Sequence, residues 1–281
     1  MNSPFDPSPN INCPACRGDG YVTVGKGEFA TAKSCNCVPV CQRCQGVGYV
    51  TKEENGVLMS GRCRCQKLPD RVKTFTRALI PNRHRKDSFR NFQHTSNSAT
   101  IAIGIINTWV HNFGKQQQSK GIILTGEVGR GKTHLLIGIC KTLIFEYGIP
   151  TRFVEFSRLL SLLKESYSKG QSDSKIINEL VNIDVLAIDE LGKGRLTEWE
   201  MTIIDEIISR RYNAMKTIIG TSNYAWKIPS GTPTPNLAIQ AFNQTLGDRV
   251  GLRTFSRLQE MCISYQVKGT DFRSLGPQFL T

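Results

Sequence analysis

The sequence lacks any long apolar run and is poor in acidic residues. No apolar segment approaches the ~18 residues that a membrane-spanning helix needs, and the opening MNSPFDPSPN has neither the basic flank nor the apolar stretch of an export signal. We therefore expect neither membrane insertion nor secretion, and a cytoplasmic location. With 23 Asp and Glu against 36 Lys and Arg, the net charge is +13, which favours an anionic partner such as nucleic acid.

The overall composition excludes a wholly disordered or fibrous chain. Of the 281 residues, 39% are hydrophobic and 21% are charged, which suits a folded protein of one or two domains. Cysteine is unevenly distributed, because eight of the ten lie in the first quarter of the chain. The chain therefore divides into a short cysteine-rich segment and a longer remainder.

The cysteine-rich segment is a tandem repeat of one small unit. Its second four cysteines follow the first four at an offset of 28 residues, and a GxGYVT stretch recurs at the same offset. A unit of about 25 residues buries too little apolar surface to fold alone, so a metal or disulfides must stabilise it. The eight cysteines are Cys13, Cys16, Cys35, Cys37, Cys41, Cys44, Cys63 and Cys65.

Two zinc ions are the predicted stabilising groups. In a reducing cytosol, closely spaced cysteine pairs favour zinc, because four thiolates can converge tetrahedrally on one ion. The regular offset favours one site in each repeat, and a nested pairing of outer with inner cysteines stays open. The alternative is a disulfide cluster in an exported protein, which would need the export signal that the sequence does not show.

Part of each repeat resembles a known module. The CxxCxGxG half is similar to the cysteine-rich module of DnaJ-type co-chaperones, but the other half is CxC and no J-domain accompanies it. We therefore infer no chaperone function. We predict a disordered tail over residues 1–10 and a zinc-ribbon-like, β-rich domain over residues 11–67.

A basic segment follows the cysteine repeats. Residues 67–90 carry eight Lys and Arg against Asp70 and Asp87, a local sum of +6. Such a segment can form a collar that binds phosphates, or its charges can face solvent on a linker helix, and both interpretations stay open. We assign residues 68–97 to a basic linker and residues 98–281 to a second domain.

The second domain begins with helix and strand patterns in alternation. Ile101, Ile105, Trp109 and Val110 are predicted to share one face of a helix. The apolar run GIILT that begins at Gly121 predicts a buried strand. Alternating patterns of this kind are typical of an α/β fold with a parallel sheet.

A phosphate-binding motif follows that strand directly. The sequence GEVGRGKT fits GxxxxGK[ST] between a predicted strand and a predicted helix. Glycines let backbone N–H groups face phosphates, Lys132 reaches the β- and γ-phosphates, and the Thr133 hydroxyl is a ligand for Mg²⁺. The predicted nucleotide-binding residues are Gly126, Gly129, Gly131, Lys132, Thr133 and His134.

An apolar strand that ends in acidic residues is the second nucleotide element. Residues 184–190 read DVLAIDE, so Asp189 would complete the Mg²⁺ shell with Thr133, and Glu190 would polarise the attacking water. Since Lys132 and Glu190 are both present, we predict ATP hydrolysis. Asn223 ends a third predicted strand and would orient the water at the same crevice, although Asn is also a common turn residue.

These motifs together resemble the AAA+ ATPases of the DnaC/DnaI helicase-loader group, and the related IstB transposition helpers share them. The motifs are the phosphate loop, IDELG at 188–192, TSNY at 221–224, RTFSRL at 253–258 and GTDFR at 269–273, and the likeness covers roughly residues 79–281. The resemblance implies an α/β AAA+ P-loop NTPase core with a parallel sheet and a reduced lid.

The resemblance also implies roles for three residues. Asn223 would be sensor 1, Arg257 the arginine finger offered to a neighbouring subunit's nucleotide, and Arg273 the sensor 2 contact to the γ-phosphate. Arg249, Arg253 and Arg257 recur every four residues and would share one helical face. Arg253 is therefore the alternative finger, and a solvated basic stripe is the third interpretation.

Loaders of this group also contact single-stranded DNA, which implies a second set of site residues. Lys164 and Tyr167 resemble a basic and an aromatic contact on one helix, and Thr197 with Trp199 resembles a contact pair after the acidic motif. Bases can stack on aromatic rings without sequence readout. The alternatives are that Trp199 belongs to a core face and that Thr197 with Glu200 forms a capping box.

The predicted function is ATP-dependent loading of a replicative helicase onto single-stranded DNA. The predicted cofactors are ATP and Mg²⁺, from the phosphate loop and the acidic strand end, and two Zn²⁺ ions, from the cysteine repeats. The resemblance implies a hexameric helicase and single-stranded DNA as partners, and self-association on ATP. Two alternatives stay open: an IstB-like partner of a transposase, and a zinc-bearing nucleic-acid adaptor whose ATP site is an assembly switch. Residues 226–247 have no assigned role.

Overall fold

The computed structural model describes residues 5–25, 27–54, 57–92, 97–116, 120–168, 174–194, 197–226, 245–269 and 271. The chain divides into two compact units. The first unit comprises Met1–Lys86 with Ile144–Gly148, and the second comprises Asp87–Leu143 with Ile149–Thr281. Across these described ranges, no helix is long and apolar enough to cross a membrane.

The first unit contains two antiparallel hairpins, one in each cysteine repeat. Strand β1 (Tyr21–Gly25) pairs with β2 (Ala30–Ser34), and β3 (Tyr49–Glu54) pairs with β4 (Val57–Arg62). The register is equivalent, because the tyrosine that begins each first strand lies opposite the last residue of each second strand. The structure thus confirms a β-rich amino-terminal region built by duplication.

The basic segment after the hairpins is not a separate linker. Helix α1 (Lys67–Arg77) buries Leu68 and Phe75 and packs against β2. The Ala30 N–H donates to the Ile80 carbonyl at 2.8 Å, so residues beyond the helix also bond to the first hairpin. Leu68 and Phe75 lie seven positions apart and therefore share one face of the helix, and this buried face packs the segment into the first unit. The linker prediction relied on the charge pattern and missed this apolar face. Residues 68–86 therefore fold with the first unit, and residues 87–92 belong to the second.

Part of the tail predicted to be disordered is packed. Phe5 is buried, and the Ser8 hydroxyl donates to its carbonyl at 3.3 Å. Pro9 lies so close to Gly20 that a Cβ there would be 3.2 Å from the proline ring. The prediction of disorder for residues 5–10 is therefore wrong, because a single aromatic side chain anchors this short stretch.

The second unit is a five-stranded parallel sheet with helices, as the sequence predicted. The strand order is β6-β7-β8-β5-β9, and every neighbouring pair is parallel. Its strands are β5 (Gly121–Thr125), β6 (Thr151–Glu155), β7 (Val185–Asp189), β8 (Thr217–Ser222) and β9 (Cys262–Gln266). All residues of β5 and β7 are buried, because helices cover both faces of such a sheet.

Seven helices accompany the sheet in the described part of the second unit. They are α2 (Asn97–Gln116), α3 (Lys132–Thr142), α4 (Phe156–Ser168), α5 (Ser174–Asn182), α6 (Glu198–Asn213), α7 (Leu246–Val250) and α8 (Leu252–Met261). A π-helical turn, Leu143–Tyr147, continues the chain from α3, and from Ile144 onward its residues belong to the first unit. Residues 227–244, which make up most of the segment without an assigned role, lie outside the described residues.

The helix α2 forms as predicted, but the prediction that Ile101, Ile105, Trp109 and Val110 share one face is wrong. Ile101 and Ile105 are 58% and 42% exposed, whereas Trp109 and Val110 are buried. Each step of four residues turns a helix by about 40° beyond a full rotation, so Ile101 lies about 80° away from Trp109. The buried face instead follows a mixed spacing of three and four, with Ala102, Ile103, Ile106, Trp109, Val110 and Phe113.

A fully buried arginine ties the second unit together at the start of its strands. The Arg211 guanidinium, near the end of α6, donates to the Thr217 carbonyl at 2.6 Å and to the Ile183 carbonyl at 2.9 Å. It also bonds to the carbonyls of Leu180, Val181 and Asp184. Burial lowers the pKa of Arg211 to about 10, so the group stays charged at neutral pH. The carbonyls at the end of α5 thereby find the donors that a helix end needs.

Candidate functional site

The loop between β5 and α3 has the backbone of a phosphate-binding loop. Gly126, Gly129 and Gly131 have φ angles of +140°, +80° and +78°, which residues with a Cβ adopt only with strain. The loop is also closely packed, because a Cβ on Gly126 would lie 2.5 Å from the Val267 carbonyl oxygen. These three positions therefore require glycine, and the loop leads directly into the first turn of α3.

The loop lysine lies against its own loop. Lys132 is buried, and its Nζ donates to the Glu127 carbonyl at 2.6 Å. Arg130 forms an ion pair with Glu127. Gly131 is the N-cap of α3, and within the described part of the chain no side chain caps this helix. The helix N-terminus, with backbone N–H groups and a partial positive charge, is suited to a phosphate.

Asp189 connects the acidic strand end to the phosphate loop. The Thr133 hydroxyl lies 3.0 and 3.1 Å from the two carboxylate oxygens of Asp189, and the Thr221 hydroxyl donates to Oδ1 at 2.6 Å. Asp189 is 2% exposed. The structure thus brings together the hydroxyl and the carboxylate that the sequence analysis assigned to Mg²⁺. Hard oxygen donors of this kind fit that ion.

Glu190 follows in an unusual backbone conformation. Its φ is +57°, and its N–H donates to the Thr221 hydroxyl at 2.9 Å. The carboxylate forms an ion pair with Lys193, and this hydrogen bond raises the pKa of Lys193. Glu190 lies beside Asp189, and its side chain is engaged by a lysine three residues away.

Asn223 lies at the same edge of the sheet as the acidic residues. Strands β7 and β8 are parallel neighbours, with Ile188 opposite Gly220, so both strands end at one edge. Asn223 is half-buried directly beyond β8. Its position agrees with a residue that faces the crevice at the carboxyl ends of the strands.

The His134 side chain contacts the segment that precedes α2. Its Nε2 is 2.8 Å from the Ser88 carbonyl and 3.2 Å from the Asn91 side-chain oxygen, and Phe92 packs edge-on to the ring. Its Nδ1 is 3.8 Å from the Asp87 carboxylate. The imidazole thus contacts other residues of the chain. Only the backbone of His134, in the first turn of α3, stays a candidate contact to phosphate.

The prediction that Arg249, Arg253 and Arg257 share one helical face is wrong, because Gly251 separates α7, which carries Arg249, from α8, which carries the other two. Arg249 donates to the Gly192 carbonyl at 3.0 Å and stacks over the Tyr224 ring at 5.0 Å. Arg257 pairs with Asp205 at 2.8 Å, and Arg253 is exposed on α8. The predicted sensor 2 residue, Arg273, lies outside the described residues.

The residues predicted to contact DNA also differ in exposure. Lys164 and Tyr167 are exposed on α4, and the tyrosine is 72% exposed. Thr197 caps α6, since its hydroxyl accepts the Glu200 N–H at 3.3 Å and its own N–H donates to the Glu200 carboxylate at 2.7 Å. Trp199 is partly buried and packs on the core cluster. These contacts support the alternative interpretation, in which Thr197 forms a capping box and Trp199 belongs to a core face.

Each cysteine repeat closes its own four-sulfur cluster. In the first repeat, Cys13 and Cys35 Sγ are 3.7 Å apart, and Cys16 and Cys37 Sγ are 3.4 Å apart. The second repeat has matching Sγ distances of 3.7 and 3.5 Å between equivalent cysteines, and the four ligand atoms in each cluster lie within 4.8 Å of one another. These clusters are Cys13, Cys16, Cys35 and Cys37, and Cys41, Cys44, Cys63 and Cys65.

The donor set of these clusters fits zinc. Tetrahedral zinc with Zn–S bonds of about 2.3 Å separates neighbouring sulfurs by roughly 3.8 Å, whereas a disulfide needs about 2.05 Å. The Gly48 N–H donates to Cys44 Sγ at 3.3 Å, and this bond lowers the pKa of Cys44 to about 7. Backbone hydrogen bonds likewise lower the pKa of Cys13 to about 7, whereas burial raises the pKa of Cys37 and of Cys65 to about 12. The nested pairing that the sequence left open does not occur.

Two residues of the site were missed by the sequence analysis. Thr221 contacts Asp189 and Glu190, and Lys193 pairs with Glu190. The signal for Thr221 was available, because strands of a parallel sheet place a polar residue near the end of β8 beside the acidic end of β7. Lys193 lies in a turn, and nothing in its spacing predicts the pair.

The fold and the site define a P-loop NTPase of the AAA+ type. The chain belongs to the IstB-like ATP binding protein family, which matches residues 91–274. It is 28% identical over 179 residues to the replicative helicase loader DnaC of Escherichia coli K12, an alignment that covers 63% of this chain and 66% of that protein. The chain thus spans just under two thirds of the length of that curated relative.

Solved structures give the same class. The crystal structure of the DnaC helicase loader is similar with a TM-score of 0.55 and 30% identity, covering 66% of this chain and 99% of that one. The crystal structure of DnaI has a TM-score of 0.52 and 20% identity, covering 69% and 95%. The second likeness shows the fold alone.

Proposed function

We propose that this protein loads a replicative DNA helicase onto single-stranded DNA and hydrolyses ATP where two subunits meet. The observation that carries the proposal is the contact between Thr133 and Asp189, which joins the phosphate loop to the acidic strand end inside an AAA+ fold. The sequence similarity to the helicase loader DnaC supports the loading role. A cytoplasmic location follows from that role.

The nucleotide site assigns one task to each group. Backbone N–H groups of the loop and Lys132 would bind the β- and γ-phosphates, and Thr133 with Asp189 would hold Mg²⁺. The ion, when bound, neutralises charge on the phosphates. Glu190 would accept the proton of the water that attacks the γ-phosphorus, while the bond to the β-phosphate oxygen breaks. Asn223 would orient that water, and Arg273 would contact the γ-phosphate.

A neighbouring subunit would complete this site. We assign the arginine finger to Arg257, whose guanidinium would stabilise charge that develops on the leaving group. Its present partner is Asp205, so a subunit contact must compete with an ion pair inside the chain. Arg253 is the alternative, because it is exposed on the same helix. Either assignment makes self-association depend on ATP.

The two zinc clusters would hold the unit that binds the helicase. Two ions fit the two clusters, one in each repeat. The second hairpin is exposed along β4, where Val57, Leu58 and Met59 are 60%, 73% and 50% exposed. Side chains alternate along a strand, so Val57 and Met59 share one face of the hairpin and Leu58 lies on the other. Exposed apolar side chains on both faces favour a partner that covers the hairpin. The hairpin would therefore be the helicase contact.

Single-stranded DNA would bind the second unit. Tyr167 offers an exposed ring for base stacking, and Lys164 lies three residues away on the same helix for a phosphate contact. Thr197 and Trp199 remain proposed contacts, although the cap and the core packing explain both residues. The net charge of +13 favours such a partner.

A transposition helper is the second candidate, because the matching family is that of IstB-like proteins. Affinity capture with the full chain separates the two functions. We expect a hexameric helicase from the source cell to co-purify in the presence of ATP, and single-stranded DNA to stimulate ATP turnover. Capture of a transposase without a helicase would contradict the loading role. Absence of turnover with DNA present would leave ATP as an assembly switch only.

A further inference from the structure

One hydroxyl group lies between the two acidic residues of the nucleotide site. The Thr221 Oγ1 is 2.6 Å from Asp189 Oδ1 and 2.9 Å from the Glu190 backbone nitrogen. Thr221 is 1% exposed, so water does not replace either bond. We infer that Thr221 is a positioning residue for ATP hydrolysis. Its hydroxyl holds the Asp189 carboxylate and the Glu190 backbone in place relative to each other. The inference rests on the proposed ATPase function.

The directions of the two hydrogen bonds follow from the donors available. A hydroxyl has a single proton, and the Glu190 nitrogen can only donate. Thr221 therefore accepts from the Glu190 N–H and gives its own proton to Asp189. The Thr133 hydroxyl reaches the same carboxylate from the phosphate loop at 3.0 Å. A chain of contacts therefore connects the phosphate loop to the turn that carries Glu190, and it runs through Thr133, Asp189 and Thr221.

The turn that carries Glu190 needs this support. A φ of +57° is strained for a residue with a side chain, and such strain persists only where surrounding contacts fix the backbone. Thr221 supplies two of these contacts, because its carbonyl also accepts the Leu191 N–H at 2.8 Å. The adjacent Ser222 hydroxyl donates to the Leu191 carbonyl at 2.9 Å. The end of β8 thus holds both sides of the turn.

Loss of the hydroxyl should affect chemistry more than nucleotide affinity. Without it, Asp189 loses a charge-assisted bond and the Glu190 N–H is left without its acceptor. Thr221 itself would touch neither phosphate nor water, so the effect is transmitted through the two acids. A threonine that merely filled space would show no such dependence on the hydroxyl.

Three variants test this role in the full chain. Thr221→Val keeps the shape and removes the hydroxyl, and Thr221→Ser keeps the hydroxyl. Thr151→Val is the matched control, because Thr151 is also buried in this sheet and its hydroxyl donates to the Ile149 carbonyl at the other end of the strands. Steady-state turnover gives kcat and KM for ATP, and a Mg²⁺ titration with a fluorescent ADP analogue gives the half-saturating Mg²⁺ concentration.

We expect Thr221→Val to lower kcat by about 10- to 100-fold, to change KM by less than about threefold, and to raise the half-saturating Mg²⁺ by about tenfold. Thr221→Ser should stay within about threefold of the wild type, and Thr151→Val should keep its kcat. Equal losses in the Val and Ser variants, or a normal kcat in Thr221→Val, would overturn the inference. If the wild type shows no turnover, the proposed hydrolysis fails, and the Mg²⁺ titration then tests Thr221 by itself. An unchanged half-saturating Mg²⁺ concentration in Thr221→Val would overturn the inference that Thr221 positions the Asp189 carboxylate.

Discussion

Thr133 and Asp189, which are 56 positions apart in the chain, meet through a hydroxyl–carboxylate contact of 3.0 Å. The contact exists because β5 and β7 flank β8 in a parallel sheet, so the loop after β5 and the acid at the end of β7 lie at one edge. A nucleotide bound at this edge would touch both elements.

Metal content tests the account of the cysteine repeats. We expect two zinc ions per chain by elemental analysis, since each cluster offers four sulfur ligands. Cys44→Ser should lower the content to about one ion, because the remaining cluster is complete. The control is Cys140→Ser, which removes a thiol that is buried in α3 and belongs to neither cluster, and which should leave two ions. Purified wild type with no zinc would contradict the account.

Arg211 should be among the most important residues for stability. Replacement by Lys keeps the charge but leaves several of the five carbonyls without a donor, so the free energy of unfolding should fall by about 2–4 kcal/mol. Urea unfolding monitored by circular dichroism measures this change. The neighbouring Arg210→Lys is the matched control, because Arg210 is 40% exposed and its ion pair with Glu206 contributes less than about 1 kcal/mol. Equal losses in both variants would refute the assignment.

The second hairpin should determine helicase capture. Leu58→Asp introduces a charge at a side chain that is 73% exposed, so the fold should persist while binding of the partner weakens by about tenfold or more. Met215→Asp is the control, because Met215 is 92% exposed in the other unit. Surface plasmon resonance with the purified helicase gives both affinities. Unchanged binding by Leu58→Asp would place the helicase contact elsewhere.

The sequence predicted the elements whose pattern is local. The phosphate loop has a fixed spacing of glycines, and the apolar strand before Asp189 is continuous, so both could be recognised without the fold. The cysteine offset of 28 residues likewise favoured one cluster for each repeat, which the structure shows. These signals are visible because a few residue types are indispensable at set positions.

The remaining features depend on contacts between distant segments. Strand β9 pairs with β5 across 141 positions, from Gly121 to Cys262, and its sequence CISYQ shows no strong alternation. The sequence alone indicates a surface position for Arg211, because most of the carbonyls that it contacts, at the end of α5 and before β7, are distant in the chain. The roles of Thr221 and Lys193 require the geometry of the turn at Glu190. Charge also misled the prediction for residues 68–86, because α1 buries two apolar side chains among its basic ones.

ATP turnover by mixed variants tests the central claim, that the nucleotide is hydrolysed where two subunits meet. Lys132→Ala removes the phosphate contact and Arg257→Ala removes the finger, so each variant alone should be inactive. In an equal mixture, sites that combine an intact loop from one subunit with an intact finger from the other should restore about a quarter of wild-type turnover. The same mixture with Arg253→Ala identifies which arginine acts. Full turnover by both arginine variants alone, or no recovery in either mixture while the wild type is active, would contradict the claim.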